Sequence, residues 1–287
     1  MPNKFYSPLR YPGGKTALAP LVKSLVYENN LVGGDYVELY AGGAGVALSL
    51  LLEEYVSRIQ INDLDRSIYA LWHSAVHKNE RFMREIENIP VTMKTWHAQK
   101  EVQNNKKNAN LFELGVSTFF LNRTNVSGIL TGGVIGGFEQ SGKYKIDARF
   151  NKPELLSRLE AIGKYARRIK VSNENAVDLL DEGLSDKVVY LDPPYVKKSQ
   201  RLYMNTYSED DHKAISKILT KKCDFFWILS YDQDPLIEKL YRTCRKSAIR
   251  NMTYGTSRKS KNELIYFHPR LKVKGSMNDR SLNLMQR

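Results

Sequence analysis

The chain has 287 residues, 42% of them hydrophobic and 26% charged, with a formal net charge of +13 at pH 7. These values exclude a low-complexity or fibrous chain and fit one large globular domain, or a domain carrying a substantial insertion. There is no run of about 18 apolar residues and no secretion signal in Met1 to Arg10, while Cys223 and Cys244 lack metal-ligand spacing and read as reduced thiols of a cytoplasmic protein.

In chain order, the first feature is "RYPGGKTAL", Arg10 to Leu18. Gly13-Gly14-Lys15-Thr16 resembles the end of a phosphate-binding loop. Such a loop needs a glycine five positions before Gly14, but Leu9 stands there, and no apolar strand precedes it. An ATP-dependent enzyme is therefore disfavoured. Next, "YVELY" (Tyr36 to Tyr40) reads as a strand running into Gly42, Gly43 and Gly45 and then the helical "GVALSLLLEEY". Glycines there allow a tight turn and close approach of a ligand to a helix amino terminus. "SRIQIND" is a second strand ending on Asn62-Asp63, with Asp63 about 20 residues past the glycines, where an acid can hold ribose hydroxyls.

From about Arg66 to Tyr165 the rhythm changes to polar helical sequence and then a glycine-broken stretch, "RTNVSGILTGGVIGGFEQSGKYKIDARFN". It reads as an insertion forming a second lobe, helical with a β-hairpin whose turn is Gln140-Ser141-Gly142-Lys143. Strand-like runs then resume: "RIKVSN", "KVVYLD", "FFWILSY" and "ELIYF". Short β-branched and aromatic runs alternating with helices predict an α/β fold with a mostly parallel, Rossmann-like sheet. Ser208 with Glu209, Asp210 and Asp211, and also Pro153 and Pro235, mark helix starts. The expected division is a discontinuous catalytic domain (1–65 and 166–270), an insert (66–165) and a polar tail (271–287).

The most specific stretch is "VVYLDPPYVKKS". An apolar strand ends abruptly in Asp192-Pro193-Pro194-Tyr195, because prolines cannot extend a ladder and stiffen the following loop. An acid, a rigid carbonyl and an aromatic face thus project from the carboxyl edge of the sheet, where open α/β sheets bind ligands. The positive charge implies a polyanionic partner, and its clusters include Lys106-Lys107, Arg167-Arg168, Lys197-Lys198 and Arg258-Lys259 with Lys261. Among the histidines, His73 and His77 are four apart but form no convincing metal motif, and no metal is expected.

Asp-Pro-Pro-Tyr in this position resembles the signature of S-adenosylmethionine-dependent N6-adenine DNA methyltransferases. The order of motifs resembles the Dam-like (D12) class: Tyr11-Pro12-Gly13-Gly14-Lys15, Glu38 to Gly45, Asn62-Asp63, then an insert, then Asp192 to Tyr195. "LNRTNVSGI" and "SRKSKNELIYF" also look like family segments, so the resemblance runs to about Pro269. It implies S-adenosylmethionine as methyl donor and double-stranded DNA as substrate, with a cognate restriction endonuclease as a further partner and a monomeric enzyme.

The resemblance places Tyr11 on the cofactor and Lys15 toward its methionine end. It assigns the strand end and glycine turn (Glu38, Tyr40, Gly42, Gly43, Gly45) and Asp63 to the adenosyl and ribose groups, with Ala176 and Asp178 near the cofactor adenine and Asp192 beside it. Asp192 and the carbonyl of Pro193 would each accept one N6 hydrogen bond, localising the amine lone pair; Pro194 stiffens the corner and Tyr195 stacks on the base. Such geometry requires an adenine flipped out of the duplex. DNA contacts are expected from Asn122, Arg123, Thr124 and Asn125, from the Gly132 to Tyr144 hairpin including Lys143, and from Lys197, Lys198, Arg258, Lys259 and Lys261 at phosphates. Members that read GATC carry Tyr and Arg where this chain has Val126 and Thr131, which argues against that target because Thr cannot grip guanine twice. The alternatives are an amino-methyltransferase for RNA or for protein glutamine, the latter usually carrying Asn in place of Asp192, and a DNA-binding module without catalysis, disfavoured by the presence of Lys15, Asp63, Asp192 and Tyr195.

Overall fold

In a computed structural model, described over residues 5–11, 14–194, 207–221, 223–252 and 261–273, the apolar runs become the strands of one sheet. The strands are β1 (Asp35–Glu38), β2 (Arg58–Asn62), β3 (Ile169–Ser172), β4 (Val188–Leu191), β5 (Phe226–Asp232), β6 (Arg245–Met252) and β7 (Lys261–Phe267). They form a seven-stranded sheet in the order β3-β2-β1-β4-β5-β7-β6. Pairings from β3 through β5 are parallel, and β7 runs antiparallel to both β5 and β6. The expected mostly parallel Rossmann-like sheet is present. Strand order reverses between β1 and β4, and that reversal opens a crevice at their carboxyl ends.

Both faces of the sheet are covered, which explains why its strands read as continuous apolar runs rather than alternating ones. Successive residues still serve opposite sides: Val188 and Tyr190 of β4 join one hydrophobic cluster, Val189 and Leu191 the other. The first cluster takes in α1 (Ala19–Glu28), α2 (Gly45–Leu52) and α3 (Arg66–His77); the second takes in α8 (Ala176–Asp181), α9 (Glu209–Leu219) and α10 (Pro235–Leu240). The strand β6 was not among the runs read from sequence. Arg245, Lys246 and Arg250 give it the charged character of an edge strand, which must discourage further pairing.

Residues 66–165 hold α3, α4 (Asn79–Asn88), α5 (Met93–Asn104), α6 (Leu111–Thr124) and α7 (Lys152–Lys164). These helices share the first hydrophobic cluster: Trp72, Phe82, Phe119 and Leu155 belong to the same core as Ile59 and Leu48. Helix α6 lies so close to α3 that a Cβ on Gly115 would stand 2.5 Å from the carbonyl of Ala70. The predicted β-hairpin is absent from residues 132–144, which form turns, with an isolated bridge between Asn125 and Val134. Side chains replace the ladder. Gln140 donates to the carbonyls of Ile135 and Gly137 (2.8 and 2.7 Å) and accepts from the Ile146 N–H (2.8 Å). Leu271 is buried, and the backbone N–H and carbonyl of Lys272 exchange hydrogen bonds with the side-chain amide of Asn29. Among the described residues no helix is long and apolar enough to cross a membrane.

Candidate active site at the carboxyl edge of the sheet

The turn after β1 is built around missing side chains. Gly42 has φ +46°, and Ala44 is also left-handed at φ 47°. A Cβ on Gly42 would lie 2.7 Å from the ring of Tyr11, so the glycine lets that ring settle on the turn. The turn's backbone is pinned from both sides: Trp72 Nε1 donates to the Gly42 carbonyl (2.8 Å) and Ser7 Oγ to that of Gly43 (2.5 Å). Helix α2 begins at Gly45 with no side-chain N-cap. Its missing acceptor comes from the strand instead, because Glu38 Oε1 accepts the Ala47 N–H (2.8 Å) and the Tyr36 hydroxyl (3.2 Å). Burial raises the Glu38 carboxyl from 4.5 to about 8, against those two hydrogen bonds, and the nearby Asp192 adds to the rise.

Asn62 and Asp63 close β2 in two different ways. Asn62 is buried, with its amide shared between the Leu39 and Glu174 carbonyls (3.1 and 2.9 Å) and its oxygen accepting from Ser172 Oγ and Glu174 N–H (both 2.9 Å). One side chain thus ties the ends of β1, β2 and β3. The half-buried Asp63, at the carboxyl end of β2, accepts the Gly42 N–H through Oδ2 and the Asp65 N–H through Oδ1, both at 2.9 Å. Burial lifts its carboxyl from 3.8 to about 7, opposed by these two N–H groups. A carboxylate offers about four acceptor positions, so Asp63 retains capacity for hydroxyl donors.

The acid after β4 is held at both oxygens. Lys15 Nζ meets Asp192 Oδ2 at 2.7 Å, with side-chain exposures of 6% and 17%, and Ser230 Oγ donates to Oδ1 at 2.8 Å. Since the Ser230 hydroxyl spends its hydrogen on Asp192, the hydroxyl of Tyr190, 2.8 Å away, donates to Ser230. The result is a directed chain that runs from the buried Tyr190 and Ser230 to the partly buried Asp192 at the carboxyl end of β4. Ser230 and Tyr190 were not picked out from sequence; the available signal was a serine inside the mostly apolar run "FWILSYD" beside a strand ending in an acid.

Tyr11, Lys15, Gly42, Gly43, Asp63 and Asp192 thus converge on one sheet edge through the contacts above. Pro193 is buried and Pro194 half-buried directly after Asp192. Tyr40 lies at the same edge, its hydroxyl 2.9 Å from that of Tyr207. Ala176 is buried in the first turn of α8, and Asp178 is exposed there. Tyr195, Lys197, Lys198, Arg258 and Lys259 lie outside the described residues, and Lys261 begins β7.

The segment Asn122 to Asn125 requires a correction. All four side chains are buried, with exposures of 2%, 8%, 0% and 0%, and they satisfy the protein's own backbone instead of facing a duplex. Asn122 exchanges hydrogen bonds with both backbone groups of Arg10 (2.8 and 2.9 Å), which anchors the segment that carries Tyr11 and Lys15. Arg123 donates to the Arg149 carbonyl (2.8 Å), and burial together with Arg10 and Arg158 brings its guanidinium down to about 10. Thr124 bonds back to the Phe120 carbonyl, while Asn125 holds the Ile129 and Leu130 carbonyls and accepts from Trp96 Nε1. By contrast Val126, Thr131 and Lys143 are exposed. Among the described residues no cluster of His, Cys, Asp and Glu has the makings of a metal site.

The solved structures found to be similar to this chain are distant from it. Similar solved structures include a candidate methyltransferase, yhhF from Escherichia coli (11% identity over 88% of this chain and 85% of that chain, TM-score 0.36). Others are a candidate RNA methyltransferase, PH1948 from Pyrococcus horikoshii (12%, 90% and 81%, TM-score 0.38), and the rRNA methyltransferase aviRa from Streptomyces viridochromogenes (11%, 86% and 84%, TM-score 0.32). At these identities and scores the likeness says nothing about substrate. No curated protein matches the sequence. The model of the D12 class N6 adenine-specific DNA methyltransferases matches residues 11–255, from the Tyr11 that rests on the glycine turn to beyond β6, and the chain belongs to that methyltransferase family.

Proposed function

We propose that the protein transfers a methyl group from S-adenosylmethionine to N6 of an adenine flipped out of duplex DNA. The observation that carries this reading is Asp192, fixed at both oxygens by Lys15 and Ser230 at the end of β4, in a chain of this family. The residues present fit the cofactor. A turn without Cβ atoms at Gly42 and Gly43, an aromatic ring from Tyr11, and Asp63 with spare acceptor positions at the end of β2 suit an adenosyl group and its ribose hydroxyls. When bound, the cofactor supplies an electrophilic methyl on a sulfonium centre.

The chemistry left to the chain is positioning and charge. The exocyclic amine of adenine is a poor nucleophile because its lone pair is delocalised into the ring. Asp192 accepts one amine hydrogen and the carbonyl of Pro193 the other, which localises the lone pair on nitrogen and aims it across the crevice. Ser230 and Tyr190 keep the Asp192 carboxylate from rotating, so no reorganisation is needed as charge develops. Pro193, buried, and Pro194, half-buried, follow Asp192 and hold the accepting carbonyl rigid. Orientation of this kind is worth several orders of magnitude in rate.

The test is incubation of the protein with labelled S-adenosylmethionine and either duplex DNA or structured RNA, with Asp192→Ala as control. Label in N6-methyladenine of DNA, lost by at least about a hundredfold in the variant while DNA binding persists, is expected. Label in RNA alone, or an Asp192→Ala protein within tenfold of the parent, would overturn the proposal.

A further inference from the structure

Where a hairpin was expected to read a groove edge, residues 126–145 instead display aromatic rings. Phe138 is 63% exposed and Tyr144 58%. Phe138 lies nearly parallel to His97 (19°, centroids 6.5 Å apart) and edge-on to the buried Trp96 (83°, 5.7 Å). Cations stand over two rings of this surface: Lys100 lies 5.7 Å from Trp96, and Lys143 and Arg149 lie 5.8 and 5.9 Å from Tyr144. The loop is rigid by construction. Gln140 clamps its backbone, and Lys145 donates to the Gln140 carbonyl. Trp96, the prop beneath Phe138, also donates to Asn125 (2.7 Å), whose carbonyl meets Arg10 Nη1 (3.4 Å), beside the Tyr11 and Lys15 of the site.

A large apolar ring held out in water on a stiff loop that also carries cations suits a ligand that is flat, apolar on its faces and anionic at its edges. A nucleic-acid base on its phosphate backbone is that ligand, and the formal +13 of the chain favours the same partner. Stacking is indifferent to hydrogen-bond pattern, so this surface holds an unstacked base without reading its identity. We propose that Phe138, propped by Trp96 and His97, is a stacking platform for a DNA base displaced from the duplex, with Lys143 and Arg149 on the adjoining phosphates. The choice of DNA rests on the proposed function; the platform itself rests on the exposed rings.

The experiment compares binding of a twelve-nucleotide deoxythymidine strand with an abasic strand of the same length and charge. The wild-type protein should prefer the strand with bases by about tenfold, and Phe138→Ala should erase the preference. Phe138→Trp should keep it. Phe138→Ala should leave the salt dependence of binding unchanged, and Lys143→Ala with Arg149→Ala should reduce it. Because Phe138 is mostly exposed, its variants should melt as the parent does. A Phe138→Ala protein that still prefers the base-bearing strand refutes the platform. A preference confined to the matching ribouridine strand refutes DNA as occupant. Absence of methyl transfer into duplex DNA by the wild type, with the stacking preference intact, would sink the proposed function and leave the platform standing.

Discussion

Glu38 sits inside the protein at 3% exposure yet can ionise, and this gives a prediction with a magnitude. Its carboxyl titrates at about 8 in the folded chain and at 4.5 ordinarily. The folded state therefore keeps a proton that the unfolded state releases. Stability due to this proton is fully present below pH 4.5, is lost as pH rises toward 8, and is gone above it. At about 1.4 kcal/mol per pH interval of one, the loss reaches about 5 kcal/mol at most by pH 9. Glu38→Gln keeps an acceptor for the Ala47 N–H and cannot ionise. It should match the parent within about 1 kcal/mol at pH 5 and exceed it at pH 9, by up to about 10 °C in melting temperature for a chain of this size. Thermal unfolding at half-unit steps from pH 5 to 9 measures it. Parallel curves for the two proteins would refute an un-ionised Glu38.

Asp63 titrates at about 7, and its charged form is the better acceptor for ribose hydroxyls, so KM for S-adenosylmethionine should fall as pH rises through 7; Asp63→Asn should abolish that trend, and a trend that survives in the variant argues against the assignment. Ser230→Ala should lower kcat by about tenfold to a hundredfold with KM for both substrates little changed, Ser230→Thr recovering part of it; a loss confined to KM would contradict a role in orienting Asp192. Arg123→Ala should cost about 2–4 kcal/mol in denaturant unfolding and leave the salt dependence of DNA binding alone, because its guanidinium serves the Arg149 carbonyl. A shallower salt dependence at unchanged stability would restore Arg123 to the DNA surface.

The parallel strands were legible because burial on both faces makes them uniformly apolar, and their ends were legible because Asn62-Asp63 and Asp192-Pro193-Pro194 interrupt that apolarity abruptly. The edge strand β6 lacks such a pattern, since an edge must be charged to stay unpaired. Asn122 to Asn125 misled for a different reason. Polar letters suggest exposure, but each of these groups finds a partner: Phe120, Ile129 and Leu130 near by for Thr124 and Asn125, Arg149 farther along for Arg123, and Arg10, far back in the chain, for Asn122. A polar residue satisfied by a distant backbone carries no local signature. The glycine-rich stretch before Tyr144 had hairpin composition, yet Gln140 meets the backbone's demands through its own amide and so removes the need for a ladder. Glu38 acting as the cap of α2 was hidden likewise, since the helix start offers no capping letter of its own.

The anchoring of Arg10 by Asn122, across 112 positions of sequence, bears on how the molecule assembles. Ser7 is held by Arg158 and Lys15 by Asp192, so the stretch bearing Tyr11 has its docking partners spread over chain that a ribosome makes much later. Closing loops of that span is slow relative to local helix formation. On this ground the leading arm is expected to complete its docking late, after the helices and strands that hold Asn122, Arg158 and Asp192 have formed. Refolding followed by a fluorophore near Tyr11 should lag behind the burial of Trp227.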